Sequence, residues 1–328
     1  MMPRREFLRR LCWGLGAGWA LSRLSWPLAA LAGSPGPRLA LLADAHLKDG
    51  DEGRPEAQAL ARAVAEIRAL RPRPDLVLFA GDLAHKGNPQ ALALGREILA
   101  DLPAPPLMVM GEGDGLPEAA APWRRLFGEP WFSQSFPLHP YRGVVGEFEG
   151  RVGELLSPSP PLKTKAIRVL GLHTAWCPGP GGPVFRLGEA QRRWLARELA
   201  HLDSATPLII LSHAPLTQIF RPWQQWTKDG ETLLPLLARF SHVLCVHGHV
   251  HGAGARGQGS VVSTENKKQK TENQPFHQGL PATAWPLPQP WQGTPAALRP
   301  GLGPSGCGWG LVALQAGDFH FLPHLWRA

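Results

Sequence analysis

Five short apolar runs in this chain each end directly in histidine or carboxylate residues, and no other feature restricts its fold so much. Residues 38–43 (RLALLA) run into Asp44-Ala45-His46, and 76–80 (LVLFA) into Gly81-Asp82. Residues 107–110 (LMVM) run into Gly111-Glu112-Gly113-Asp114. Residues 208–211 (LIIL) run into Ser212-His213, and 243–246 (VLCV) into His247-Gly248-His249-Val250-His251. Runs this short and this continuously apolar read as strands buried on both faces. A sixth, 167–172 (IRVLGL), precedes His173. Between the runs, residues 56–70, 90–99, 189–202 and 231–240 space their apolar side chains near the helical period. Strand and helix in alternation predict an α/β core, whose strand C-termini form the crevice where ligands bind.

One D-x-H arises easily by accident, and His213 alone reads as a core histidine at least as well as a ligand. Five strand ends delivering oxygen and nitrogen donors to one rim predict a metal site. Gly248 lets the backbone turn sharply between His247 and His249. Carboxylates and imidazoles without thiolate favour Mn, Fe, Zn or Co over copper(I) or iron–sulfur sites. Seven donors, Asp44, His46, Asp82, Glu112, His213, His249 and His251, are too many for one tetrahedral zinc. Two ions sharing one carboxylate fit better, and Asp82 is the natural bridge, because its strand lies second in the ligand series. Such a pair of ions suits in-line attack at phosphorus.

The series Asp44-x-His46, Gly81-Asp82, Gly111-Glu112-Gly113-Asp114, His213 and Gly248-His249-x-His251 resembles the calcineurin-like metallophosphoesterases, whose pattern is D-x-H, G-D, G-N-H-D/E, H and G-H-x-H. The resemblance runs from about residue 38 to 252. It implies a four-layer α/β/β/α sandwich of two mixed sheets around a dinuclear site. It also implies a phosphate-ester substrate, with two transition-metal ions (Mn, Fe or Zn) as cofactors. Carried over by position, Asp44, His46, Asp82 and His251 would surround one ion. Asp82, Glu112, His213 and His249 would surround the other.

The chain departs from the family where the motif has Asn and His, which are here Glu112 and Gly113. Glu112 can still ligate through oxygen; Gly113 cannot replace an imidazole. In the family that histidine lies near the scissile phosphate, and Asp114, which would orient it, is retained without it. General acid help is worth about 10²–10⁴ in rate. On this reading, restoring the pair by Glu112→Asn with Gly113→His is expected to raise activity about ten-fold or more. His85 is a candidate substitute, or else a surface or outer-sphere residue, and His173 stands in the same position. Two functions follow: an exported phosphomonoesterase or phosphodiesterase, or a metal-holding, catalytically weak homologue serving as a periplasmic binding or accessory protein. The first keeps every other ligand position; the second takes Gly113 at face value.

The N-terminus adds an address. Residues 1–32 begin MMPRREFL, continue through a modest apolar stretch, and end Ala30-Leu31-Ala32. That is the form of a cleaved export signal, or alternatively a retained anchor. Arg4-Arg5-Glu6-Phe7-Leu8 resembles the twin-arginine type, which implies passage through that export machinery to a periplasmic or secreted location. The formal net charge is +8, and half of it belongs to these 32 residues, so a nucleic-acid partner is not indicated. No later run approaches the about 18 apolar residues a spanning helix needs. Residues 33–328 read as one layered domain, with 253–328 a Pro- and Gly-rich β tail completing the sheets. Within it, 265–274 (ENKKQKTENQ) reads as a solvated loop. Residues 123–141, with Trp131, Phe132 and Phe136, are either core or an aromatic rim at the site. No glycine-rich phosphate loop and no Gly-x-Ser-x-Gly elbow is present, which sets nucleotide motors and serine hydrolases aside. The sole Tyr, Tyr141, does not follow Gly81-Asp82, so a tyrosinate-ligated site is unsupported.

Overall fold

A computed structural model describes residues 37–115, 120–137, 166–217, 226–249, 285–286, 294–295, 305–315 and 318–327. Residues 1–32, expected to be an export leader, lie outside the described residues, as do His251 and most of residues 253–304 of the tail expected over 253–328. In chain order the elements begin β1 (Arg38–Leu42), α1 (Pro55–Ala69), β2 (Leu76–Phe79), α2 (Pro89–Leu99), β3 (Leu107–Met108), α3 (Ala120–Phe127), β4 (Phe132–Pro137) and β5 (Ala166–Leu172). They continue with β6 (Ala175–Cys177), β7 (Val184–Arg186), α4 (Glu189–Ala200), β8 (Leu208–Ser212), a 3₁₀ turn Gly230–Leu233, α5 (Leu234–Leu237) and β9 (Val243–His247). The last four strands are β10 (Trp285–Pro286), β11 (Thr294–Pro295), β12 (Ser305–Gln315) and β13 (Asp318–Arg327).

The strands form two mixed sheets, β13-β12-β1-β2-β3 and β10-β9-β8-β5-β4, with β11 also on β9. Alternation along each strand divides the core. Leu39 and Leu41 of β1 face Val169 of β5, Leu211 of β8 and Val246 of β9 in a layer between the sheets. Ala40 and Leu42 face the other way, toward Leu60, Val64 and Ile67 of α1, Leu92 of α2 and Trp123 of α3. Beyond the second sheet, Leu170, Ile210 and Cys245 pack on Leu195 and Leu199 of α4 and Leu237 of α5. Helix, sheet, sheet and helix make the four-layer α/β/β/α sandwich. Each central strand is covered on both sides, which explains runs that are apolar almost throughout.

Local chemistry sets the element ends. Helix α1 opens on Pro55, whose missing amide donor costs nothing there, with Glu56 in its first turn. Helix α2 opens on Pro89, and the Asn88 side chain accepts from the amides of Gln90 and Ala91 at 2.9 and 3.3 Å. The helix expected over 231–240 is cut to a 3₁₀ turn and the four residues of α5, because Pro235 removes an amide donor there. Strand β3 spans only Leu107–Met108 where four residues were expected. Helix α3 and strand β4 had not been expected. Trp123 of α3 is fully buried, while Phe132 and Phe136 of β4 pack against the inter-sheet layer, so these aromatics are core. Among the described residues no helix is long and apolar enough to cross a membrane.

Candidate metal centre

The loops after β1 and β2 remain zipped beyond the last formal strand residue. The amides of Asp44, His46 and Leu47 donate to the carbonyls of Gly81, Asp82 and Leu83, each at 2.9 Å. The His85 amide returns a bond to the Leu47 carbonyl, and the Gly87 amide donates to the Gly113 carbonyl at 2.6 Å. Three strand-end loops thus form one braced floor. To stay braced, the backbone adopts left-handed torsions at non-glycine residues, with φ of 55° at Asp44, 48° at His46, 56° at Asp82 and 66° at His249. Each such residue costs roughly 1 kcal/mol or more and persists only where its surroundings demand it. These four of the five non-glycine residues with positive φ among the described residues are expected metal ligands, and the fifth is Lys86.

The structure gathers six of the seven expected donors into two groups. Asp44, His46 and Asp82 present ligand atoms within 4.8 Å of one another, and so do Glu112, His213 and His249. Asp82 stands between them, with Oδ2 3.6 Å from His46 Nδ1 and Oδ1 3.6 Å from His213 Nε2. The Glu112 carboxylate lies 2.6 Å from His213 Nε2 and 2.8 Å from His249 Nδ1. His251 lies outside the described residues.

Outer contacts fix these donors. His213 Nδ1 donates to the Ala80 carbonyl at 2.7 Å, which leaves the Nε2 lone pair for an ion. Asp82 Oδ1 accepts from the Gly113 amide at 2.7 Å, and Asp44 accepts from the His249 amide at 3.1 and 3.3 Å. His213 Nε2 and Glu112 Oε2 are buried without a geometrically sound hydrogen bond. Lone pairs held this way suit a metal ion.

Charge leads to the same fit. Burial pushes the Asp44 carboxyl well above its ordinary range, with Asp82 as a like-charged neighbour. Burial and the Glu112 charge push Asp82 up to about 6. Burial would also raise Glu112, but the His213 and His249 rings outweigh it and hold the carboxyl low. Burial opposes protonation of His213, yet Asp82 and Glu112 hold its proton well above the ordinary range. Buried carboxylates crowded in this way are stabilised by cations.

The two residues expected near the chemical step sit otherwise. Both oxygens of fully buried Asp114 are engaged by backbone, Oδ1 by the Ala84 amide at 2.7 Å and Oδ2 by the Gly111 amide at 3.0 Å. Burial and the neighbouring Asp82 raise it to about 7. It ties the second loop to the third and belongs to neither donor group. His85 is exposed and lines a surface depression with Lys48, Lys86 and Asn88, also outside both groups.

His173 stands at the rim where its place at the end of IRVLGL puts it. Leu172 pairs with Ser212 on neighbouring parallel strands, so His173 and His213 are the next residues across the same rim. Its amide donates to Gln191 Oε1 and its carbonyl accepts from Gln191 Nε2, both at 2.8 Å. Burial lowers its ring to about 4, helped by the Arg124 and His213 charges. Above pH 6.5 the ring is neutral in both folded and unfolded chains, so it adds no pH dependence. As the pH falls toward 4 the unfolded chain takes up a proton that the folded chain excludes, and stability is lost. The expected loss is about 3 kcal/mol. Denaturant midpoints at pH 7 and pH 4.5 check this: the drop should shrink in His173→Gln, and an undiminished drop would contradict it.

Sequence reasoning missed the β6–β7 hairpin. Its residues pair antiparallel, and Phe185 of β7 sets its ring edge-on to His249, 4.7 Å between centroids at 75°. The turn run Pro178-Gly179-Pro180-Gly181-Gly182-Pro183 between two short apolar pieces was the signal for it.

Residues 37–253 match the family model described as calcineurin-like phosphoesterase. A probable glycerophosphodiester phosphodiesterase of Arcobacter nitrofigilis is 26% identical over 198 residues, 59% of this chain and 63% of that protein. The chain therefore matches somewhat under two thirds of that relative's length. A probable cyclic nucleotide phosphodiesterase of a Synechococcus species is 27% identical over 232 residues, 70% of this chain and 73% of the other. Among solved structures, a dimetal phosphatase from Danio rerio superposes with a TM-score of 0.50 at 15% identity. That superposition covers 88% of this chain and 96% of the other, a likeness of fold.

Proposed function

From the premise that this chain belongs to the calcineurin-like phosphoesterase family, we propose that it is an exported phosphodiesterase or phosphomonoesterase working on two transition-metal ions. The observation that carries this reading is the pair of donor groups with Asp82 between them. Both curated relatives bear phosphodiesterase names, which favours the diester.

Asp44, His46 and Asp82, with His251 as the resemblance implies, would hold one ion, and Asp82, Glu112, His213 and His249 the other. When bound, the ions supply Lewis acidity toward phosphoryl oxygen and make water acidic enough to attack near neutral pH. The chain's own part is positional. Left-handed loops aim the carboxylates, the Ala80 carbonyl fixes the His213 tautomer, and Asp114 keeps the Gly111 and Ala84 amides in place. Position 113 has no side chain to offer and gives the donor residues its backbone amide, donated to Asp82. Among the described residues, His173 is a further imidazole at this rim, at the end of the strand paired with β8. A panel of mono- and diesters with metal-reconstituted protein tests the reading. Metal-dependent turnover of at least one ester supports it; metal uptake without turnover of any would favour the accessory-protein reading.

Export belongs to the same proposal. Ligands from positions 44 to 249 come together only on folding, so metal binding and folding are coupled. Folding before export lets the cell set the ion by availability rather than by affinity, which would favour copper or zinc. The double variant Arg4→Lys with Arg5→Lys is expected to leave metal-loaded precursor in the cytoplasm. Fractionation with metal analysis decides it; normal export, or unfolded metal-free precursor, would overturn the route.

A further inference from the structure

We propose that Trp176 is a stacking platform for a planar ring on the substrate, giving the enzyme a preference for esters of nucleosides or aryl alcohols over those of small aliphatic alcohols. The proposal rests on the phosphoesterase reading above and extends it to the alcohol side of the ester.

The hairpin geometry carries it. Trp176 and Phe185 are direct partners in the antiparallel β6–β7 ladder. Opposed residues of such a pair project from the same face of the ribbon. Their rings stand 4.5 Å apart at 54°. Phe185 is fully buried, edge-on to His249 and 6.4 Å from His213, so this face of the hairpin is turned to the second donor group. Trp176 shares that face and remains 41% exposed, an exposure that no other large apolar side chain among the described residues reaches. An isolated exposed apolar residue needs no explanation. One that borders a metal centre through a buried aromatic partner has a use, because an indole offers a broad apolar face at little entropic cost.

The platform is also fixed in place. Two residues separate β5 from β6, and Gln191 clamps the backbone of one of them, His173. On the other strand, the Lys228 amide donates to the Phe185 carbonyl at 2.9 Å. Asp229 accepts from the Leu187 and Gly188 amides at 2.9 and 3.0 Å. Sites held on braced elements discriminate better than sites on loose loops. Stacking of a base on an aromatic side chain is sequence-tolerant, so the platform reads a ring and not a particular base.

The test compares adenosine, p-nitrophenyl and glycerol phosphate esters on metal-loaded wild type, Trp176→Ala and Trp176→Phe. Trp176→Ala should raise KM about ten-fold for ring-bearing esters, with kcat and the glycerol ester unchanged and Trp176→Phe restoring most of the loss. A response to adenosine alone assigns a nucleobase, and a response to both assigns any flat ring. An equal shift for all esters, or none, would overturn the platform. If no ester is hydrolysed, the phosphoesterase reading fails by itself. Calorimetric binding of adenosine monophosphate against glycerol phosphate then decides: a ring preference that Trp176→Ala removes sustains the platform, and no preference ends it.

Discussion

Asp82→Asn is expected to release both metal ions at once and to abolish turnover, while Asp114→Ala weakens metal binding only in part. The asymmetry follows from position. Asp82 has one oxygen 3.6 Å from an imidazole of each donor group, so an amide there withdraws a negative charge from both. Asp114 gives its two oxygens to the Ala84 and Gly111 amides and belongs to neither donor group. Losing an outer partner of that kind costs about 10–100-fold in affinity, and losing a shared ligand should cost more than that. Elemental analysis of the two purified variants, with activity alongside, measures the difference. Loss of only one ion from Asp82→Asn would refute its place between the groups.

Gly113→His, alone or with Glu112→Asn, is expected to damage the site and not to restore a missing acid. This reverses what the motif comparison suggests. A Cβ at position 113 would lie 2.7 Å from the Ala84 carbonyl oxygen and 3.0 Å from Asp82 Oδ1. The first obstacle is backbone, and the second is the carboxylate shared by the two groups. Any side chain must therefore push the loop after β2 or break the bond from the Gly113 amide to Asp82. Overpacking of this kind costs about 1–3 kcal/mol, and the displaced carboxylate should carry metal affinity down with it. Gly113→Ala serves as the graded comparison, because the Cβ alone creates the conflict. Thermal melts and metal stoichiometry should fall in both variants. A rise in activity with Gly113→His would show that the loop opens to admit the ring.

Much of this was legible in the sequence because the apolar runs that end in donors are also the strands. Strands β1, β2, β8 and β9 stop within one residue of where the apolar run predicts. The register β5-β8-β9 then sets His213 and the His247–His249 loop at one level. The left-handed torsions were not legible, since Asp and His are only enriched at positive φ, and nothing in the sequence says which of them adopt it. They arise from the backbone bonds between loops, which are tertiary. The consequence of Gly113 was hidden for the same reason. A motif comparison shows which residue is absent, whereas only packing shows that Ala84 and Asp82 have closed over its place. Strand β4 was missed because it lies at the edge of its sheet and half its residues face water, so no apolar run marks it.

The central claim is that strand ends far apart in sequence build one site for two ions that act together on a phosphate ester. Titrating metal into carefully stripped protein while following hydrolysis of a responsive diester tests it most directly. Activity should rise and saturate at two equivalents per chain, with Asp82→Asn silent throughout. Saturation at one equivalent, or hydrolysis unaffected by metal, would contradict it.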